Sequence, residues 1–534
     1  MFAKDKTVSL MLDCSRNAVP NLEFLKSYIE ILAKCGYNQL QLYMEDTYKI
    51  EGEKFFGYFR GGYSREELKE LDDFAFSKGV ELAPAIQVLG HLNNIFYWGE
   101  YADIRDSGDC LLVGEEKTYQ LIDKMIREVS LTYRTKKVNI GMDESFLSGK
   151  GAYLKKHGYR NPDEIFIEHL VRVSEILKKY DREGMMWGDM FYRNMNNGEY
   201  YSKTPIVSEK TKKLVPPNIN IIYWDYYTKD ADVVSAMAKS ALSLDKNAYF
   251  AGGVWSWVGF MPRCDFANKQ SEVALKCCKE AGIKNFITTA WGDNGAECSK
   301  LAILPSLYYF AQNVNGETNI DKIKESFYKT FNVSFDELMA LKDLNDLENQ
   351  DEKITNVCKY MLYNDLLAGI YDNTVDQNKV SLFTKCKERY NKLINNETFG
   401  YVFKTARDLA SVLEIKYDLG VRIRKAYKSN DKKELKTLIK DLGKLVDRLE
   451  VFYESFKKQW YKENNLEGFE IQTNRIGGLI LRTKEARELL INFVNKKIDK
   501  IHTLEQEVYQ FDGMKVGEDS LNNCYTICAS INNQ

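Results

Sequence analysis

VNIGMDES, at residues 138–145, is the most informative stretch of the chain, because an apolar run leads there directly into two neighbouring carboxylates, Asp143 and Glu144. Neighbouring side chains on a regular strand point to opposite faces, so both can meet one substrate only if the strand ends and the chain turns. Gly141, and the glycine-rich residues 148–151, permit that turn. The stretch predicts a strand that ends in a catalytic acid pair. An isolated pair of this kind is more often a solvent-facing strand terminus, so the rest of the sequence is needed to choose between the two interpretations.

Short apolar runs alternate with helix-length amphipathic stretches from the N-terminus to about residue 312. Eight strand-helix units in roughly 300 residues are typical of a closed (β/α)8 TIM barrel. The predicted strands run from Val8 to Asp13, Gln39 to Met44, Val80 to Ile86, Lys137 to Met142, Gly184 to Gly188, Asn218 to Trp224, Ala248 to Trp255, and Asn285 to Ala290.

The strand pattern fades after about Asn319, and long charged helical patterns replace it, such as Lys432 to Lys457. We therefore predict an α/β barrel over residues 1–315, followed by an all-helical C-terminal domain over residues 316–534. In that domain the adjacent Gly477 and Gly478 favour a helix break, the alternative being a surface against the barrel mouth. The polar tail at residues 513–534 is left unassigned.

Composition narrows the classes of partner. The chain has 75 basic and 77 acidic residues, a net charge of -2, so no global field favours nucleic acid or an anionic membrane. Eleven scattered cysteines fit a reducing compartment, and the first residues lack a signal-peptide pattern, which predicts a cytoplasmic protein. The four histidines lack metal-ligand spacing, so we expect neither a metal nor a cofactor.

Barrel enzymes carry their active sites at the C-terminal ends of the strands, and these ends are rich in acidic and aromatic residues here. Five of the seven tryptophans fall at four consecutive predicted strand ends. They are Trp187, Trp224, Trp255, Trp257 and Trp291. Aromatic walls beside carboxylates suit a sugar ring, whose apolar faces stack while its hydroxyls need acceptors.

These residues make the chain similar to glycoside hydrolase family 20, the β-N-acetylhexosaminidases, and especially to its bacterial branch with a helical C-terminal domain. The motifs that carry the resemblance are IGMDE at 140–144, MLDCSR at 11–16, QVLGH at 87–91 and AWGD at 290–293. Many relatives carry an α/β domain before the barrel, whereas strand one begins here near Val8. The natural N-terminus and any export signal therefore stay open.

The resemblance implies a substrate-assisted retaining mechanism, in which the 2-acetamido oxygen of the sugar attacks its own anomeric carbon. Glu144 would be the general acid and then the base. Asp143 would hold the acetamido N–H and stabilise the positive intermediate. Tyr226 would hydrogen-bond the acetamido oxygen, with the neighbouring Tyr227 as the alternative.

The resemblance also implies a set of binding residues. Trp187, Trp224 or Trp255, and Trp291 would line the pocket, with Trp291 as the sugar platform. Arg16 and Asp293 would recognise hydroxyls, a role that the motifs favour over a simple ion pair at the barrel rim. His91 and Asp46 would orient Glu144, although a purely structural histidine is nearly as plausible.

The leading interpretation is an exo-acting hydrolase that removes terminal β-linked N-acetylglucosamine or N-acetylgalactosamine. A second is an O-GlcNAcase-like β-N-acetylglucosaminidase, which shares the mechanism but typically uses an Asp-Asp pair, so Glu144 argues against it. A third is a catalytically inactive glycan-binding barrel, which would be expected to have lost one carboxylate. The sequence leaves open the sugar epimer, the aglycone, and whether the protein is a homodimer.

Overall fold

The computed structural model describes residues 6–345 and 356–509 of the chain. Within these ranges the eight predicted runs form eight parallel strands, which close into a barrel in chain order. The strands are β1 (Thr7–Asp13), β2 (Gln39–Tyr43), β3 (Glu81–Ala85), β4 (Lys137–Asn139), β5 (Glu183–Trp187), β6 (Ile219–Trp224), β7 (Tyr249–Gly253) and β8 (Asn285–Ala290). The predicted (β/α)8 barrel is confirmed.

The described residues also form nineteen α-helices. The first eleven are α1 (Leu22–Cys35), α2 (Arg65–Ser77), α3 (Glu116–Thr132), α4 (Ala152–His157), α5 (Pro162–Lys179), α6 (Asp189–Met195), α7 (Glu209–Leu214), α8 (Ala231–Leu244), α9 (Cys264–Ala281), α10 (Leu304–Asn315) and α11 (Ile320–Phe331). The others are α12 (Phe335–Met339), α13 (Val357–Tyr363), α14 (Val380–Asn391), α15 (Gly400–Lys416), α16 (Leu419–Lys428), α17 (Lys432–Glu463), α18 (Phe469–Val494) and α19 (His502–Glu505).

The barrel strands are buried on both faces, which is why they read as continuous apolar runs. Every residue of β1 and β2 is buried. The polar residues among them pair with one another: Gln41 donates to Gln39 (Nε2 to Oε1, 3.0 Å), and Asn139 of β4 donates to Gln41 (Nδ2 to Oε1, 3.3 Å). Since β2 and β4 are not neighbours in the sheet, this last bond crosses the barrel interior.

Strand β4 is shorter than predicted, ending at Asn139 and not at Met142. The reason is local: Gly141 and Met142 have φ of 70° and 69°, outside the extended region. Hydrogen bonds from Ile140 N to Met185 O (2.8 Å) and from Trp187 N to Gly141 O (3.1 Å) nevertheless hold the segment against β5. The turn before Asp143 and Glu144 therefore forms where the sequence placed it.

The chain divides into two compact units. The first comprises Met1–Val254, Ala267–Trp291 and Ser306–Asn332 and contains the barrel strands; the second comprises Trp255–Phe266, Gly292–Pro305 and Val333–Gln534. The boundary near residue 315 stays a prediction. None of the helices in the described ranges contains an apolar stretch of the length that a membrane span requires.

The helical character of the second unit is confirmed, and the helix predicted from Lys432 is α17. The predicted break at Gly477 and Gly478 is wrong, because α18 continues through both glycines. Two helical glycines cost roughly 2 kcal/mol relative to alanine, so packing of the helix must offset them. The residues of α18 around the two glycines pack well: Ile476 just before them, and Thr483, Ala486 and Leu490 after them, are fully or almost fully buried.

Within the same unit, α18 also contacts the segment that follows Trp291. Gln472 donates to Gly295 O (3.0 Å) and Arg475 donates to Asn294 O (2.8 Å). Gly295 has φ of 121°, and a Cβ there would lie 2.5 Å from Arg475 Nη1, so this position requires glycine. The polar tail at residues 513–534 lies outside the described residues.

Candidate active site

Four residues at the ends of β2, β3 and β4 share an unusual backbone conformation. Glu45, His91, Met142 and Glu144 have φ of 48°, 56°, 69° and 48°. Residues other than glycine rarely adopt positive φ, because the Cβ crowds the backbone at a cost of about 1 kcal/mol or more each. Such strain collects at functional sites, where it aims side chains that a regular strand would direct elsewhere.

Asp143 is fixed by two donors from the third strand end. Its Oδ1 accepts from Gln87 Nε2 at 2.8 Å, and its Oδ2 lies 3.3 Å from His91 Nε2. Gln87 also accepts from Met142 N at 3.1 Å. A Cβ at Gly141 would lie 2.0 Å from Gln87 Oε1, so only glycine admits this arrangement. The Asp143 side chain is 13% exposed, which leaves one edge open to a ligand.

The charges of Asp143 and His91 support each other. Burial alone would raise the pKa of Asp143, but the adjacent His91 holds that pKa below its ordinary value. Burial alone would likewise lower the pKa of His91, but Asp143 and then Glu45 raise it to about 10. At neutral pH the pair is therefore a carboxylate beside an imidazolium.

Glu144 occupies a different environment. Its side chain is 42% exposed, and its Oε2 lies 3.9 Å from His91 Nε2. Its backbone N–H donates to Asp189 Oδ2 at 3.1 Å, and that carboxyl is buried beneath it. Burial, and next the charge of Asp143, raise the pKa of Asp189 to about 7. Glu144 thus has a fixed backbone and a side chain with room to exchange protons with a bound molecule.

Arg16 lies at the end of β1 and pairs with the buried Glu45. The distance from Arg16 Nη1 to Glu45 Oε1 is 3.1 Å, and Tyr43 Oη donates to the same oxygen at 3.1 Å. The Arg16 side chain is 31% exposed, so part of it is open to solvent. The Glu45 carboxylate thus orients Arg16. The alternative ion pair between Arg16 and Asp293 stays a prediction.

Aromatic side chains of β5, β6 and the β8 end form a wall. The rings of Trp187 and Trp291 lie 5.9 Å apart, and Tyr43 meets Trp291 edge to face at 4.7 Å. Tyr226 stacks on Trp224 at 5.1 Å. The indole Nε1 atoms of Trp187 and Trp224 are buried donors without a hydrogen-bond partner among the described residues. Buried donors of this kind are normally satisfied, so a ligand hydroxyl is a suitable acceptor.

Tyr226 fits the predicted acetamido contact better than Tyr227. Its ring is 7% exposed, whereas Tyr227 is 42% exposed. Trp291 Nε1 donates to Tyr226 Oη at 3.0 Å. Burial raises the pKa of Tyr226 well above its ordinary value, so the phenol keeps its proton at neutral pH.

Asp46 contacts a different partner from the one predicted. Asp46 does not reach His91; its carboxylate pairs with Arg60 Nε at 3.2 Å instead. The reason is that the chain turns at Glu45, so Glu45, and not Asp46, approaches His91, whose pKa it raises. Trp255 and Asp293 belong to the second unit, where Trp255 packs on Trp257 with ring centres 4.5 Å apart.

Four residues that contact the acid pair or its neighbour His91 have no role in the sequence-based prediction. They are Glu45, Gln87, Asp109 and Asp189. Asp109 accepts from His91 N at 2.8 Å, and its Oδ2 lies 3.8 Å from His91 Nδ1. Glu45, Gln87 and Asp189 stand at predicted strand ends, which was an available signal. Asp109 lies in a long loop after β3, where spacing gives no such signal.

Glu45 gives the site a measurable effect on stability. Burial raises its pKa to about 7, so between pH of about 4 and about 7 the folded chain retains a proton that the unfolded chain has released. This contribution to the free energy of unfolding should therefore fall as pH rises through that interval. Urea unfolding of Glu45→Gln should show a weaker decline than the wild type, by up to about 1.4 kcal/mol per pH unit. Parallel curves for the two proteins would contradict the assignment.

A closed parallel barrel with adjacent carboxylates and an aromatic wall at its C-terminal strand ends is an architecture of sugar-cleaving enzymes. Residues 9–280 match the glycosyl hydrolase family 20 catalytic domain, and residues 335–523 match the glycoside hydrolase 20C C-terminal domain. The chain therefore belongs to glycoside hydrolase family 20.

Among curated relatives, human hexosaminidase D is 24% identical over 227 residues, which is 41% of this chain and 44% of that protein. Bovine hexosaminidase D is 22% identical over 220 residues, 40% of this chain and 60% of that protein. The matched regions thus span less than two thirds of either relative.

The solved structures to which this chain is similar include an exo β-N-acetylglucosaminidase of Vibrio harveyi, with a TM-score of 0.47 and 15% identity. The aligned region covers 63% of this chain and 59% of that one. A chitobiase of Flavobacterium johnsoniae has a TM-score of 0.48 and 15% identity, covering 86% and 78%.

Proposed function

We propose that this chain is an exo-β-N-acetylhexosaminidase that removes terminal β-linked N-acetylglucosamine or N-acetylgalactosamine. The observation that carries the proposal is the contrast between two neighbouring carboxylates. Asp143 is mostly buried, ionised and held by Gln87 and His91, whereas the Glu144 side chain is 42% exposed and its Oε2 lies 3.9 Å from His91 Nε2. Adjacent acids in different environments can perform different steps of one reaction.

Asp143 supplies the fixed negative charge. Its carboxylate accepts the acetamido N–H and turns the acetamido oxygen towards the anomeric carbon, so the substrate provides its own nucleophile. The protonated Tyr226 donates to that oxygen and orients it. As the oxazolinium-like intermediate forms, Asp143 balances its positive charge, and His91 keeps Asp143 ionised throughout.

Glu144 supplies the mobile proton. It protonates the leaving oxygen in the first step and removes a proton from water in the second, which restores the β configuration. Asp189 holds the Glu144 backbone through both steps. Family 20 as a group uses this substrate-assisted route.

The remaining predicted residues bind the sugar. Trp291 is the platform for the ring, beside Trp187 and Trp224, and Arg16 binds hydroxyls of the sugar. Asp293 and Trp255 keep their proposed roles in hydroxyl binding and pocket lining. Nine cysteines of the described residues are buried thiols, which supports a reducing, cytoplasmic location.

The direct test is hydrolysis of 4-nitrophenyl N-acetyl-β-glucosaminide and of its galacto epimer, with the first-formed anomer followed by NMR. We expect turnover of at least one epimer with release of the β anomer. Binding of N-acetylglucosamine without hydrolysis of either would favour the inactive glycan-binding barrel. Strong preference for sugar-modified peptides over oligosaccharides would favour the O-GlcNAcase-like alternative.

A further inference from the structure

Four aromatic side chains, three of them exposed and one half-buried, form a surface cluster on the loops that follow β2 and β3. They are Phe55, Tyr58, Phe59 and Trp98, which we call the aromatic ledge. Phe55 and Trp98 stack with ring centres 5.4 Å apart, and Tyr58 meets Trp98 edge to face at 5.2 Å. Phe59 is 76% exposed, Tyr58 41% and Phe55 37%. Large rings clustered at a surface mark a binding site more often than rings scattered singly.

The loop that carries three of these rings is anchored to the strand ends. A Cβ at Gly57 would lie 2.1 Å from Asp46 O, so the loop packs directly on the residue after Glu45. Arg60 donates to Asn17 (Nη1 to Oδ1, 2.8 Å), to Ser15 O and to Asp46 (Nε to Oδ1, 3.2 Å). The rings are therefore exposed on a fixed support.

A carboxylate joins the two loops of the ledge. Glu53, from the loop after β2, accepts from Tyr101 Oη at 3.0 Å, and Tyr101 follows Trp98 on the loop after β3. Lys124 of α3 donates to the same carboxylate at 2.6 Å. This bridge holds Phe55 and Trp98 on one continuous surface.

The ledge shares its loops with the residues that contact the acid pair. His91, on the loop that carries Trp98, lies 3.3 Å from Asp143 and 3.9 Å from Glu144. Glu45 immediately precedes the loop that carries Phe55. Glu144 protonates the oxygen that joins the two sugars, so the departing part of the substrate extends on the Glu144 side of the site.

We propose that the aromatic ledge binds the aglycone sugar, the residue from which the terminal N-acetylhexosamine is cleaved. A pyranose has an apolar face that stacks on an aromatic ring, and the ledge is continuous with the loops of the acid pair. This inference rests on the proposed function and adds the substrate class to it: a β-linked oligosaccharide in preference to a small glycoside.

The test compares two substrates that differ only in the presence of an aglycone ring. Methyl N-acetyl-β-glucosaminide and the β-1,4 disaccharide of N-acetylglucosamine both release an alkyl oxygen, so both need the same proton donation. Trp98→Ala should lower kcat/KM for the disaccharide about 10-fold, since one lost stacking contact corresponds to about 1.4 kcal/mol. The rate on the methyl glycoside should stay within about two-fold, and Trp98→Phe should restore much of the loss.

Tyr328→Ala is the matched control, because Tyr328 is 56% exposed on α11 and lies in none of the ledge loops. Equal losses on both substrates, or none on the disaccharide, would overturn the ledge proposal while leaving the hydrolase intact. Hydrolysis of neither substrate by the wild type would overturn both proposals. A wild-type dimer that Trp98→Ala dissociates, without the selective loss, would assign the ledge to a subunit interface.

Discussion

Glu144→Gln should lower kcat/KM by roughly 10²–10⁴-fold on a β-N-acetylglucosaminide with a poor leaving group. Glutamine preserves the shape of the side chain and cannot donate the proton that the leaving oxygen needs. The loss should shrink for a nitrophenyl leaving group, which departs with little proton donation. Rates on a series of leaving groups with graded acidity measure this directly.

Glu175→Gln is a suitable control for this substitution, since Glu175 is exposed on α5 and carries the same change of charge. The control should behave as wild type on every substrate. A Glu144→Gln protein that keeps full activity on the poor leaving group would show that another residue is the acid.

Asp143→Asn should slow hydrolysis by roughly 10²–10³-fold, because an amide cannot balance the developing positive charge. The same change should weaken inhibition by a thiazoline analogue of the cyclised intermediate, since that analogue resembles the state that Asp143 stabilises. Steady-state kinetics and inhibition constants of the two proteins measure both effects.

The substitution also has an electrostatic signature. Asp143 is the main group that raises the pKa of His91 to about 10, and burial opposes it. In Asp143→Asn the pKa of His91 should therefore fall, and NMR titration of the four histidines would detect the change. Asp321→Asn, on the first turn of α11, should leave the kinetics and the titration unchanged. An unchanged His91 in Asp143→Asn would contradict the pairing.

The barrel could be predicted because its strands are apolar on both faces and recur at regular spacing. The end of β4 could not be placed as well, since Ile140 and Gly141 keep their hydrogen bonds to β5 after the chain has left the extended conformation. The pattern of apolar residues predicts which segments are buried, but it does not predict the backbone dihedral angle φ of a single residue. The helix break predicted at Gly477 and Gly478 was wrong for a related reason, because tertiary packing stabilises a helix that local propensity disfavours.

The acid pair and the aromatic wall could also be predicted from the sequence, since their residues stand at predicted strand ends. The residues that hydrogen-bond or pair with them were harder to predict. The choice between Glu45 and Asp46 depends on a single positive φ at Glu45, and adjacent residues exchange faces when one residue turns. The pairing of His91 with Asp143 and Asp109 joins distant parts of the chain, and one sequence holds no pattern that specifies it.

In the proposed mechanism the substrate, and not the protein, supplies the nucleophile. The most direct measurement is the ratio of kcat/KM for 4-nitrophenyl N-acetyl-β-glucosaminide to that for 4-nitrophenyl β-glucoside, which lacks the acetamido group. The substrate-assisted mechanism predicts negligible turnover of the glucoside and no covalent glycosyl-protein adduct. Comparable rates on the two glycosides, or a trapped adduct on a carboxylate of the chain, would show a conventional double displacement and contradict the roles proposed for Asp143 and Tyr226.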